Sequence, residues 1–192
     1  MARPQAYNTQ QVLDAALTVF WTKGYDATSL QDLLAATKLS KSSLYGGFGD
    51  KHGLFLAAFD TYREARRSEM LHYLAQGSAR AGIEAFFRSV IGAVEAGELA
   101  RGCMSVNQAV EMSPHDPLVH ARVESDFHFI EEHFAEAVAR GQAAGEINPA
   151  HDPKRLGRML LTAFAGFQVL ARARCARPAL EDALAAYLGA LD

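Results

Sequence analysis

The sequence has few cysteines and no large excess of positive charge. Its 192 residues include two cysteines, Cys103 and Cys175, which is too few for a disulfide framework. The formal net charge is -3. Residues 1 to 51 carry a net charge of +1, from five cations and four anions: Arg3, Lys23, Lys38, Lys41 and Lys51 against Asp14, Asp26, Asp32 and Asp50. Charge alone therefore does not indicate DNA binding, and such a function must depend on where individual cations lie.

Long apolar runs are also absent. The longest, residues 159 to 171, contains Thr162 and Gln168 and falls short of the roughly 18 apolar residues of a membrane span. The first ten residues have no apolar segment typical of a signal peptide. We therefore expect a cytoplasmic protein without a membrane segment. Its hydrophobic content of 49% indicates a globular chain that buries a substantial core.

Helical periodicity occurs throughout the chain, and no segment has the alternation of a strand. Asn8, Asp50, Asp116 and Asp152 are predicted N-caps, and proline follows each of the last two at the first helical position. The pattern predicts an all-α fold of about nine helices.

The segment from Thr28 to Lys51 predicts two short helices joined by a tight turn. Thr28 is a candidate N-cap, with Gln31 completing a capping box. Ser40 is a second candidate, and the helix that follows has Leu44 as its only clearly apolar residue before Phe48. Such a polar, cationic helix is typical of the second helix of a helix-turn-helix. From spacing alone, a solvated helical hairpin is an equally good interpretation.

Residues 12 to 59 closely resemble the DNA-binding domain of the TetR family of transcriptional regulators. The matching positions are Phe20-x-x-x-Gly24-Tyr25, Ala27-Thr28-Ser29, Leu39-Ser40-Lys41, Leu44-Tyr45, Phe48 and Lys51-x-x-Leu54-Phe55. The resemblance implies that the side chains contacting double-stranded operator DNA are Thr28, Ser29, Lys41, Ser42, Ser43, Tyr45 and Lys51.

Two positions depart from the family pattern. Lys38 occupies a turn position where family members often have glycine. Gly46 and Gly47 follow Tyr45, where larger side chains are usual. Since glycine disfavours helix, we expect the second helix to fray near its end. The operator sequence cannot be transferred from relatives.

The resemblance also implies an organisation into two domains. Residues 1–50 form the helix-turn-helix DNA-binding domain, with three helices, and residues 51–192 form a helical ligand-binding and dimerisation domain. A homodimer is implied through the last two helices, and so is a pocket whose small-molecule effector weakens DNA binding. The candidate pocket residues are Tyr62, Phe86, Phe87, Met104, Asn107, Gln108, Glu111, Phe127, Ile130, Phe164 and Phe167. Apolar residues of this kind are more often plain core, and for the polar members we favour bonds to a neighbouring helix or water.

Three further features have alternative interpretations. Cys103, in Gly-Cys-Met-x-x-Asn, resembles a branch of the family that senses electrophiles or oxidants, but we favour an inert buried thiol. His120, Glu124 and His128 share one helical face, and we favour solvated side chains over a metal site. No pair of Glu-x-x-His motifs supports a di-iron enzyme. We expect no metal, no cofactor and no enzymatic activity. A helical interaction module without DNA function remains the other alternative.

Overall fold

The computed structural model describes residues 7–95 and 101–192, and all regular secondary structure in these residues is helical. The helices of the described residues are α1 Thr9–Lys23, α2 Leu30–Thr37, α3 Lys41–Phe48, α4 Lys51–Leu74, α5 Ala79–Glu95, α6 Met104–Glu111, α7 Pro117–Ala143, α8 Pro153–Arg172 and α9 Arg177–Gly189. None of these helices has the length and apolar content needed to cross a bilayer.

The predicted N-caps are found at the starts of α1, α4, α7 and α8. The side chains of Asn8, Asp50, Asp116 and Asp152 each accept a hydrogen bond from a backbone N–H of the first turn. The prediction for α2 is wrong by one residue. Ser29 is its N-cap, and Asp32 rather than Gln31 completes the capping box. Both Thr28 and Ser29 have capping side chains, so composition alone did not distinguish them.

Helices α1, α2 and α3 pack around a small apolar centre that α4 closes. Phe20, Leu33 and Leu44 are fully buried there, and the ring of Phe20 meets that of Phe55 edge-on at 5.2 Å. Further along α4, Tyr62 and Met70 are buried against the C-terminal helices. One continuous helix therefore contributes to both halves of the molecule.

The C-terminal half is a layered helical core rich in phenylalanine. Phe87 and Phe134 stack at 5.7 Å, and Phe87 also meets Phe167 at 5.3 Å. Helices α7 and α8 approach closely at Gly157, where a Cβ would lie 2.8 Å from the carbonyl oxygen of Glu131. Any side chain at position 157 would therefore push these two helices apart.

Candidate DNA-binding surface and ligand cavity

Helix α3 is held on the surface by one buried side chain and one N-cap. Leu44 is fully buried, whereas the neighbouring Lys41, Ser42 and Ser43 are exposed. The Ser40 hydroxyl accepts a hydrogen bond from the Ser43 amide at 3.1 Å. This arrangement directs the N-terminal end of α3 towards solvent.

That N-terminal end carries only cationic and hydroxyl-bearing side chains. The hydroxyl of Ser40 lies 3.0 Å from that of Ser42 and 2.9 Å from that of Ser43. The Lys41 Nζ lies 5.5 Å from the centre of the half-buried Tyr45 ring. We call Lys41, Ser42, Ser43 and Tyr45 the α3 tip. All four can donate hydrogen bonds, and none carries negative charge at neutral pH.

Both departures from the family pattern are visible around α3. Lys38 has a left-handed backbone, with φ of 59°, which costs a residue with a side chain more than glycine. Helix α3 nevertheless runs through Gly46 and Gly47 to Phe48, and the Gly49 amide bonds the Tyr45 carbonyl at 2.8 Å. The fraying expected near the end of α3 is not present in the structure.

The flanking residues differ in whether they reach the surface. Ser29 is exposed, and the partly exposed Lys51 has its Nζ 4.3 Å from the centre of the Tyr25 ring. Thr28, in contrast, is only 1% exposed, and its hydroxyl donates to the Gly24 carbonyl at 2.6 Å. The Thr28 side chain therefore anchors the turn after α1 and does not reach the surface, unlike the other predicted DNA contacts.

A second possible functional feature is a cavity of about 150 Å³ in the C-terminal half. It lies between α4, α5, α7 and α8, with Trp21 of α1 and the start of α6 closing one side. Most of its wall is apolar, from Trp21, Tyr62, Met70, Phe86, Val90, Phe129, Ile130 and Phe164. Such a space is suited to a small ligand with a largely apolar body.

One wall of this cavity holds a cluster of charged side chains. Asp126, 5% exposed, accepts hydrogen bonds from Arg63 at 3.0 Å and from Arg67 at 2.9 Å and 3.1 Å. The Ser105 hydroxyl donates to the same carboxylate at 2.7 Å. Behind it, Asp60 is held by Arg63 and Arg122. We call Arg63, Arg67, Ser105 and Asp126 the polar wall.

Gln168 contributes to the cavity from α8. It is 6% exposed, and its Oε1 has no hydrogen-bond partner among the described residues. A buried amide oxygen without a donor is costly, and a donor group on a ligand in this cavity would relieve that cost. The Gln108 Oε1, outside the cavity, lacks a partner in the same way.

Cys103 and Tyr62 form a buried pair beside the cavity. The Tyr62 hydroxyl donates to the Cys103 Sγ at 3.4 Å and accepts from the Met104 amide at 3.1 Å. Burial raises the pKa of the Cys103 thiol, an effect that outweighs the hydrogen bonds it receives. Burial also raises the pKa of Tyr62 well above its usual range. The Cys103 thiol is therefore protonated near neutral pH, the less nucleophilic form.

Helix α6 and its flanks connect the cavity to the N-terminal helices. The Trp21 indole donates to the Gly102 carbonyl at 2.8 Å, and both residues border the cavity. At the other end of α6, Glu111 accepts hydrogen bonds from the Asp26 amide at 3.1 Å and from Gln108 at 3.0 Å. Helix α6 therefore connects the cavity wall at one end, through hydrogen bonds, with the turn before α2 at the other.

Family comparisons agree with this architecture. The family model described as "Bacterial regulatory proteins, tetR family" matches residues 12–58. The model described as "Tetracyclin repressor-like, C-terminal domain" matches residues 79–187, more than half of the chain. The chain belongs to the TetR family of transcriptional regulators. The predicted family and the all-α fold, with its helix-turn-helix and C-terminal helical domain, are confirmed. The boundary at residue 50 stays a prediction.

Individual TetR-family relatives match over nearly the whole chain. The uncharacterised HTH-type transcriptional regulator YezE of Bacillus subtilis (strain 168) is 32% identical, with all of both chains covered. The HTH-type transcriptional repressor ComR of Escherichia coli (strain K12) is 30% identical over 88% of this chain and 82% of its own. A structure of the TetR-family regulator CifR, a cysteine mutant complexed with 26 bp of double-strand operator DNA, is 29% identical, covers all of both chains and has a TM-score of 0.88.

The predicted pocket residues divide into two groups. Tyr62, Phe86, Ile130 and Phe164 lie in the cavity wall. The other seven predicted residues lie outside the wall of this cavity: Phe87, Met104, Asn107, Gln108, Glu111, Phe127 and Phe167.

The packing shows the surroundings of five of these seven side chains. Phe87, Met104 and Phe167 are core residues, and Phe127 borders a shallow outer groove. Asn107 is bonded to the Arg101 carbonyl at 2.7 Å. The polar wall was not predicted from the sequence, although Arg63 and Arg67 lie one helical turn apart on α4. That spacing was the available signal.

The histidine and glutamate residues of α7 show no metal-site geometry. His120, Glu124 and His128 are all exposed, His120 lies 3.0 Å from the Ser113 hydroxyl, and His128 lies 3.1 Å from Glu132. Within residues 7–95 and 101–192, no three His, Cys, Asp or Glu side chains are grouped to hold a metal ion.

Proposed function

We propose that this regulator is a repressor that binds operator DNA through the α3 tip and is released by a small molecule in the cavity. The observation that carries the proposal is the α3 tip, a row of exposed donors held outward by the buried Leu44. A helix-turn-helix places such residues at phosphates and base edges in the major groove. Repressor function is also supported by ComR, a relative named as a repressor.

The proposed DNA contacts are Ser29, Lys41, Ser42, Ser43, Tyr45 and Lys51. Lys41 and Lys51 supply charge to phosphates, and the hydroxyls supply shorter hydrogen bonds. Because the Ser29 hydroxyl and backbone N–H both already donate to Asp32, at 2.8 Å and 3.0 Å, we assign Ser29 a minor share of the DNA contacts. The net charge is small, so operator affinity depends on this local geometry rather than on a general attraction to DNA.

The proposed active form is a homodimer through α8 and α9. Val169 and Leu170 on α8 are 55% and 42% exposed, and such large apolar side chains are favourably covered by another subunit. A symmetric dimer presents two α3 tips to half-sites about 34 Å apart. The CifR complex with operator DNA, which has the same fold, supports this mode of binding.

The proposed release depends on α6. An effector that fills the cavity contacts Gly102 and Ser105, and α6 passes any shift to Asp26 through Glu111. The ligand must bind the DNA-free arrangement more tightly than the DNA-bound one for this to occur. Binding, not catalysis, is the proposed role. The proposed location is the cytoplasm, where bacterial DNA is accessible.

The test is operator binding by the double variant Lys41→Ala/Tyr45→Ala, measured by fluorescence anisotropy against DNA selected from genomic fragments. We expect at least a tenfold loss, because each base contact contributes about 1–3 kcal/mol. Lys154→Ala is the matched control, since Lys154 is an exposed lysine at the start of α8. Wild-type affinity in the double variant would contradict the assignment of the DNA surface.

Thiol sensing through Cys103 is the second candidate function, favoured by the position of Cys103 in the cavity wall. Its raised pKa argues for a non-covalent effector instead. Alkylation of Cys103, followed by mass spectrometry and operator titration, distinguishes thiol sensing from release by a non-covalent effector. Unchanged operator affinity after complete alkylation would exclude the sensor.

A further inference from the structure

We propose that the cavity binds a single-ring aromatic carboxylate that also carries a hydroxyl group, for which 4-hydroxybenzoate is the simplest probe. This assignment rests on the proposed role of the cavity as the effector site. It is carried by three independent properties of the cavity: its size, the charge of one wall, and an unpaired acceptor on another helix.

The size of the cavity fits one aromatic ring. Its volume is about 150 Å³, and an apolar protein cavity of about 150 Å³ is known to hold benzene. Aromatic side chains surround it, with Trp21 and Tyr62 edge-on at 4.9 Å and Phe86 and Phe164 at 5.5 Å. Rings arranged in this way offer edges and faces to a flat ligand.

The charge of the polar wall favours an anion. Arg63, Arg67 and Arg122 are paired with only two carboxylates, those of Asp60 and Asp126. Glu64 lies near them on the outer side of α4, but it is exposed and screened by water, so one positive charge is left over on the buried side.

The other pair near the cavity, Arg66 with Glu69 at 2.6 Å, is balanced. The side chains of Arg63 and Arg67 are only 13% and 33% exposed, so solvent screens the excess charge incompletely. A ligand carboxylate would neutralise that charge and match the geometry of the guanidinium groups.

Gln168 supplies the second polar requirement. Its Oε1 is buried without a donor, so a ligand that reaches it must carry an O–H or N–H. The arginines belong to α4 and Gln168 belongs to α8, and both helices line the same cavity. The two polar groups of the ligand therefore belong at different edges of its ring, as in 4-hydroxybenzoate.

The experiment is calorimetric titration of the full chain, without DNA, using four probes: 4-hydroxybenzoate, benzoate, 4-hydroxybenzamide and 4-hydroxybenzylamine. We expect 4-hydroxybenzoate to bind about tenfold or more tightly than each of the others, because each lacks one charged or polar contact. Equal or tighter binding of the amide or the amine would overturn the proposed carboxylate. Equal binding of benzoate would overturn the proposed hydroxyl.

Two variants assign each preference to a side chain. Arg67→Gln should abolish the preference for 4-hydroxybenzoate over its amide, and Gln168→Met should abolish the preference for 4-hydroxybenzoate over benzoate. Arg155→Gln, an exposed arginine at the start of α8, should change neither ratio. Thermal melting verifies that the variants fold. Retention of both preferences in folded variants would contradict the assignment.

A separate readout distinguishes this proposal from the proposed function. Operator anisotropy is measured with and without saturating 4-hydroxybenzoate. Selective binding together with DNA release supports both proposals. Selective binding without release supports the cavity assignment and contradicts release by this ligand. Operator binding by a protein that binds none of the four probes overturns the ligand class and leaves the DNA-binding function intact.

Discussion

The α3 tip and the polar wall use similar side chains in opposite surroundings. The tip places one lysine, two serines and one tyrosine within five consecutive residues, mostly in solvent. The polar wall brings together Arg63, Ser105 and Asp126 from three helices, and Asp126 is 5% exposed. Exposed donors remain hydrated and free to meet a partner. Buried charges must be satisfied within the fold.

This difference predicts different consequences of mutation. Removal of an exposed donor should change DNA affinity with little effect on folding, because surface substitutions typically alter stability by less than about 0.5 kcal/mol. Removal of a member of the polar wall should affect folding first, since its partners are left desolvated and unpaired. The predictions below test that contrast, from the largest expected effect to the smallest.

Asp126→Ala should be the most destabilising of these changes. It leaves two partly buried guanidinium groups, those of Arg63 and Arg67, without their shared carboxylate. We expect a loss of about 3–5 kcal/mol in the free energy of unfolding, measured by urea denaturation. Lys41→Ala is the comparison from the α3 tip and should be close to neutral. If both variants lost the same small amount, the contrast between the two regions would be wrong.

Glu111→Ala should have an intermediate effect, because this carboxylate joins the two regions. It removes the acceptor for the Asp26 amide and for the Gln108 side chain. Hydrogen bonds to charged groups contribute about 1.5–3 kcal/mol, and the partial exposure of Glu111 reduces this to an expected loss of about 1 kcal/mol. Glu124→Ala, an exposed glutamate on α7, serves as control. A stability loss no larger than that of the control would remove Glu111 from the proposed path.

Gly46→Ala should stabilise the DNA-binding half by up to about 1 kcal/mol, since glycine is the poorer helix former and a Cβ at this position meets no atom within 4 Å. Thermal melting measures the gain. Gly49→Ala is the matched control with the opposite expectation, because Gly49 has a φ of 81° that alanine adopts only with strain. A lower melting temperature for Gly46→Ala would show that α3 depends on that glycine.

The smallest effect concerns pH. The pKa of Asp32 is lowered from 3.8 to about 2, mainly by a hydrogen bond from Lys23 and to a smaller extent by hydrogen bonds from Ser29. Because the folded pKa lies below the unfolded value, the stabilisation is complete above about pH 4 and is lost as pH falls towards 2. Urea denaturation of the wild type and of Asp32→Asn between pH 5 and pH 2 should show the two stabilities converging. A constant difference across that range would contradict this assignment.

The helix starts were predictable wherever local rules decide the structure. Asp116 and Asp152, each followed by proline, mark helix starts through hydrogen bonds to amides two or three residues away. In the structure these two residues are the N-caps of α7 and α8. The predicted N-cap of α2 was wrong by one residue, because Thr28 and the adjacent Ser29 are both of a residue type that caps helices. Burial distinguished them, because Thr28 turned inwards to bond the Gly24 carbonyl.

The pocket could be predicted only in part for a related reason. Helical periodicity identifies the inward faces that contain Tyr62, Phe86, Ile130 and Phe164, but every inward phenylalanine looks alike along the chain. Asn107 and Glu111 suggested a polar pocket, yet they bond to Arg101 and Asp26 instead. The unpaired oxygen of Gln168 was invisible until its neighbours were known.

The sequence by itself determined the helices, most of their predicted caps, the family and the exposed donors of α3, because these depend on residues close together along the chain. Tertiary structure alone decided that three arginines share two carboxylates beside a cavity and that Gln168 lines the same cavity. Such a site depends on the distances between helices and on the exclusion of water, neither of which is set by any single segment.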